Sequence, residues 1–109
     1  MLTEPVLAII VHSFRAGRQQ DVIDRLADYQ KTLRKSCGDQ PCDELIHRVT
    51  LAILKNGGSD PGRFGKALAL AATDWRDALV EAGFADSIDA HKAWEKDMLV
   101  RIQNRKDNV

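Results

Sequence analysis

Residues Pro61–Phe84 read PGRFGKALALAATDWRDALVEAGF, and helix signals mark both ends of this stretch. Asp60 precedes it as an N-cap whose carboxylate can accept from the free N–H groups of the first turn. Pro61 occupies the first helical position, where its missing N–H costs nothing. Gly83 can close the helix in the left-handed conformation, with Phe84 folding back on the last turn. Spaced at about 100° per residue, Phe64, Leu68, Ala71, Ala72, Trp75, Ala78, Leu79 and Ala82 share one apolar arc. Arg63, Lys66, Asp74, Asp77 and Glu81 face the other way, and Leu70 interrupts them. The stretch is expected to be one continuous helix on which the others pack.

Outward from it, the remaining segments also have helical periods. Thr3-Glu4-Pro5 resembles an N-cap and first turn, opening a helix to about Ala16 that Gly17 closes. Val6, Leu7, Ile9, Ile10, Val11 and Phe14 leave this helix almost no polar face. A buried strand over Val6–Val11 is the alternative, but no later segment offers it a partner strand. The second helix spans about Arg18–Lys35, with Val22, Leu26, Tyr29 and Leu33 facing inward. After Cys37–Cys42 a third helix runs to about Lys55 and stops at Asn56-Gly57-Gly58. Cys42, Leu45, Ile46, Val49, Ala52 and Ile53 share one face, while His47, Leu51 and Leu54 make a second stripe. Two stripes imply a sandwiched helix or a contact with another subunit. Asp86 or Ser87 caps a last helix that starts near Ile88, with Ile88, Met98, Leu99 and Ile102 inside and Arg101–Val109 frayed. The expected fold is all-α, a single domain over residues 1–109 with about five helices in an orthogonal or irregular bundle.

Composition narrows the function classes. The 109 residues carry 16 basic and 16 acidic side chains, so the net charge is zero. That removes the usual electrostatic attraction to nucleic acids or anionic membranes. The basic tail (Arg101, Arg105, Lys106) also suits the negative end of a helix dipole. Val6–Val11 is too short to span a bilayer, and no basic region precedes it as in a signal peptide. The expected compartment is the cytoplasm, where Cys37 and Cys42 are reduced.

Three constellations can carry chemistry. Cys37-x4-Cys42-x4-His47 has zinc-compatible donors, but its spacing is unusual and a fourth ligand is missing; the same cysteines can pair in an oxidising setting. His91 and Glu95 are four apart on one helix, so the carboxylate can orient the imidazole. With Trp75 and Trp94 as walls they form a candidate ligand pocket, and His91 and Glu95 are the candidate catalytic pair. Asp74-Trp75-Arg76-Asp77 is divided between core and solvent, with Arg76 free to clamp an acidic group on another helix. Gly57-Gly58-Ser59-Asp60-Pro61-Gly62 lacks the Lys-Ser/Thr of a P-loop, and no cofactor is expected.

The leading functional expectation is a small interaction module acting as a homodimer, with a further protein partner allowed. Leu51, Leu54 and Leu70 are its interface candidates. A small-ligand binder or enzyme using the His91/Glu95/Trp pocket is the alternative, and a nucleic-acid or regulatory module comes third.

Overall fold

The computed structural model describes residues 2–107, the side chains of Lys106 and Asp107 excepted. Within that range there are six helices and no strand: α1 (Glu4–Ser13), α2 (Ala16–Ser36), α3 (Asp43–Gly57), α4 (Pro61–Thr73), α5 (Trp75–Ala82) and α6 (Ala90–Asp107). The N-terminal segment is therefore a helix, and Val6, Ile9 and Ile10 carry its buried face. Its end differs from expectation. The chain leaves the helix at Phe14 rather than near Gly17, because Phe14 turns inward to meet Phe64 edge-on at 5.7 Å. The Gln19 amide donates to Phe14 O (2.9 Å) and Val11 O (3.3 Å), taking the capping role assigned to the glycine.

The stretch Pro61–Phe84 holds two helices. Thr73-Asp74 ends α4, and Asp74 has extended backbone angles (φ −157°, ψ 111°). One residue serves both helices: its N–H donates to Leu70 O, and its carboxylate accepts from the Arg76 N–H at 3.0 Å. Threonine and aspartate favour such local bonds over continued helix. The break re-aims the apolar face. Phe64, Ala67 and Ala71 are buried on α4 and Ala78, Leu79 and Ala82 on α5, whereas Ala72 is exposed. The break also frees α4 carbonyls, and the buried Tyr29 hydroxyl donates to Ala71 O at 3.0 Å. At the far end Phe84 N–H donates to Leu79 O and Gly83 N–H to Val80 O, closing α5 with Gly83 left-handed.

The central helix is α3. It packs against each of the other five, while α6 touches only α1 and α3 among the described residues. Burial almost all round α3 explains its two apolar stripes. Leu51 and Leu54 are 0% and 3% exposed, so neither presents a surface to another subunit. Side chains of α3 also hold α5: Asn56 donates to Ala78 O (3.1 Å) and Lys55 to Ala82 O (2.7 Å). A buried polar link ties α3 to α2, with the Gln30 amide donating to Thr50 Oγ1 (2.9 Å) and Thr50 Oγ1 donating to Ile46 O (2.7 Å). Each polar atom of that link has a partner, which is what burial requires.

Gly57 sets how closely α4 approaches α3. A Cβ there would lie 2.8 Å from Phe64 Cα, a backbone atom that cannot rotate away. Gly57→Ala is therefore expected to destabilise the fold by about 1–3 kcal/mol through overpacking. Urea unfolding of the variant measures this. An unchanged midpoint would mean that the two helices can separate at little cost.

The last helix begins at Ala90, later than expected, because Ser87 Oγ accepts from the Asp89 N–H (3.1 Å) in a short turn. Ile88 consequently sits in the connector and is 63% exposed rather than inward-facing. Helix α6 continues through Asp107, so the segment expected to fray is drawn as helix up to that residue; Asn108 and Val109 lie outside the described residues. Among the described residues, no helix is long and apolar enough to cross a membrane.

Candidate functional site

The polar groups converge where α6 crosses α3. His47 projects from the middle of α3, and its Nε2 lies 2.5 Å from Glu95 Oε2 on α6. Both side chains are largely covered, at 26% and 22% exposure, so this contact bridges the helices away from most solvent. Glu95 thus pairs with the histidine on the other helix, and the expected His91–Glu95 pair within α6 is not formed. His91 goes deeper. It is 2% exposed and packs edge-on against Phe84 at 6.3 Å, with half-buried Trp94 6.1 Å from the same ring. His91 Nδ1 is buried without a hydrogen-bond partner among the described residues. Arg48, one residue beyond His47, donates to Phe84 O and to Ser87 O (3.4 Å), fixing the connector above His91.

Electrostatics at this crossing favour a neutral His91. Burial pushes its pKa below the ordinary histidine value, the neighbouring Arg48, His47 and Lys92 push the same way, and Glu44 opposes them. The folded state then binds fewer protons than the unfolded chain near the ordinary histidine pKa. Stability from His91 is present above about pH 6.5 and is lost as pH falls through the depressed folded value, with a slope of up to about 1.4 kcal/mol per pH unit. His91→Leu should flatten that part of the stability–pH curve in denaturant titrations from pH 7 to pH 4. Parallel curves for the two proteins would contradict a buried neutral imidazole.

The two tryptophans wall different clefts. Trp75 lines a cleft of about 340 Å³ at the α4–α5 break with Tyr29, Leu33, Thr73, Asp74 and Arg76. Arg76 bonds back to Asp74 (3.1 Å) and lies over the Trp75 ring, so it clamps no other helix. Trp94 lines an open groove of about 490 Å³ on α6 with Ala93, Lys96, Asp97 and Val100. Neither of these two clefts is lined by His91 or Glu95.

The metal candidates separate as well. His47 is committed to Glu95, and no group of three or more His, Cys, Asp or Glu side chains among the described residues is arranged to hold a metal ion. Cys37 and Cys42 lie at the adjoining ends of α2 and α3, near enough that Cys42 raises the Cys37 pKa. Leu70 is half-buried and lines a small groove with Asn56, Arg63, Lys66 and Glu81, so it is less displayed than its place among charges implies. The sequence reading missed Val100 and Arg48. Val100 was legible from the i, i+4, i+7 series Ala93, Asp97, Val100 on the outer side of α6; Arg48 had no local signal, because its acceptors lie in a connector far along the chain.

Compared with known proteins, the chain matches no family model, no curated protein and no solved structure.

Proposed function

We propose that the protein is a helical interaction module that pairs with a second copy of itself through the outer face of α6. The observation that carries this reading is the incomplete cover of α6. Val100 is 48% exposed beside the groove that Trp94 and Ala93 also line, and Leu99 is half-buried, whereas Trp94, Met98 and Ile102 pack their inner sides against the core. His91 is the one α6 side chain among those described that the chain buries fully. A helix whose outer apolar residues remain half-wet gains from a further surface laid against it.

The rim of the groove suits a copy of the same helix. Lys96 and Asp97 carry opposite charges side by side. Across a two-fold axis with α6 antiparallel to itself, Lys96 of each copy faces Asp97 of the other, which is the self-complementarity a closed dimer needs. Ala93 is small enough to let two helix backbones approach. A net charge of zero adds no long-range repulsion between copies.

Val100→Glu places a carboxylate in the proposed contact without touching the core. It is expected to weaken association about tenfold or more. Val80, 65% exposed on α5, supplies the control: Val80→Glu should leave association unchanged. Equal weakening by both substitutions, measured by sedimentation velocity, would remove the α6 assignment.

A further inference from the structure

We propose that Cys37 and Cys42 form a redox-active dithiol that exchanges with low-molecular-weight disulfides to close an intramolecular disulfide between the end of α2 and the start of α3. The geometry rests on a tight turn and two helix ends. Cys37 is the residue that ends α2, and Cys42 is the residue that opens α3. Between them the Gln40 N–H donates to Cys37 O (3.2 Å), and Gly38 occupies the turn with φ +63°, a conformation other residues rarely adopt. The reversal sets the two cysteines at adjoining helix ends, close enough for Cys42 to act on the Cys37 thiol. Outside them Arg34 pairs with Asp43 at 2.7 Å, tying the same helix ends together a second time.

The two sulfurs differ in access, as a stepwise exchange requires. Cys37 is half-buried, and Gly38, Asp39, Gln40 and Pro41 beside it are all exposed, leaving room for a small reagent. Cys42 is 8% exposed and sits at the edge of the core. Cys37 as thiolate attacks one sulfur of the reagent disulfide, releasing one equivalent of thiol and leaving a mixed disulfide. Cys42, losing its proton, then attacks the Cys37 sulfur and releases the second equivalent. The protein dithiol is oxidised by two electrons and the reagent disulfide is reduced to two thiols. The neighbouring Cys42 and burial hold the Cys37 thiol above the ordinary cysteine range, the nearby Arg34 opposing. The first step is therefore expected to accelerate about tenfold per pH unit around neutrality, as the thiolate fraction grows.

The full-length chain, reduced and then incubated in a glutathione/glutathione-disulfide buffer, provides the test by acid quenching, alkylation and mass spectrometry. The expected product is a single chain that has lost both free thiols together, with no bound glutathione and a Tm several degrees above the reduced form. Cys42→Ala should halt the reaction at a glutathione adduct on Cys37. Should that core substitution impair folding, Cys37→Ser provides the second arm, in which Cys42 should stay unmodified. A stable glutathione adduct on the wild-type chain, disulfide-linked dimers, or two thiols that remain alkylatable would each overturn the proposal. Failure here leaves the α6 dimer untouched, because the two surfaces share no residue.

Discussion

Leu51→Ala is expected to cost about 2–5 kcal/mol of folding stability. Leu51 is 0% exposed on α3, the helix that contacts every other. Removing most of its side chain leaves a void bounded by several helices, and no one of them can move in without losing its other contacts. A domain of this size typically has only about 5–15 kcal/mol of net stability, so the variant should sit close to unfolding at room temperature. Leu70→Ala provides the comparison. Leu70 is half-buried at a surface groove, and its truncation should cost about 1 kcal/mol. Guanidinium titrations followed by tryptophan fluorescence would measure both. Similar losses for the two leucines would mean that α3 is not the organising helix.

The second large effect lies at alkaline pH. Tyr29 is 8% exposed and donates to Ala71 O, a carbonyl that the α4–α5 break leaves without a helical partner. Burial, with a smaller contribution from the negative charge of Asp74, pushes its pKa from 10.0 to about 12. The folded state keeps the phenolic proton that the unfolded chain gives up. Its stabilising contribution is complete below about pH 10 and is lost as pH rises through about 12, amounting to about 2–3 kcal/mol in all. Tyr29 is the only tyrosine in the chain, so tyrosinate absorbance reads this group without interference from another. Tyr29→Phe should lose about 1 kcal/mol at neutral pH, the worth of one buried hydrogen bond, and should lack this share of the alkaline loss. Tyrosinate appearing near pH 10 in folded protein would contradict the buried bond.

How much of this was legible in the sequence depended on whether the deciding contact was local. The stripe Val22, Leu26, Tyr29, Leu33 is buried as its spacing required, and the caps at Thr3 and Asp60 accept the bonds assigned to them. Asp74 was legible in principle. Thr-Asp in the middle of an apolar period is a capping signal, but the continuous alanine face on either side masked it. Other features were decided by tertiary contacts that no local rule encodes. Phe14 leaves α1 early for Phe64, Glu95 prefers the histidine across the helix interface to the one four residues away, and the tryptophans diverge once α4 and α5 separate. The role of α3 as the central helix was written in its two stripes, which allowed either a sandwiched helix or a subunit contact. Only the three-dimensional packing distinguishes those outcomes.

Pairing of two copies through the Val100 groove on the outer face of α6, as proposed, is tested most directly by sedimentation equilibrium of the wild-type chain across micromolar concentrations. A mass rising toward twice 12.2 kDa, and held nearer to 12.2 kDa by Val100→Glu, is the expected result. A wild-type mass of 12.2 kDa throughout that range would contradict it.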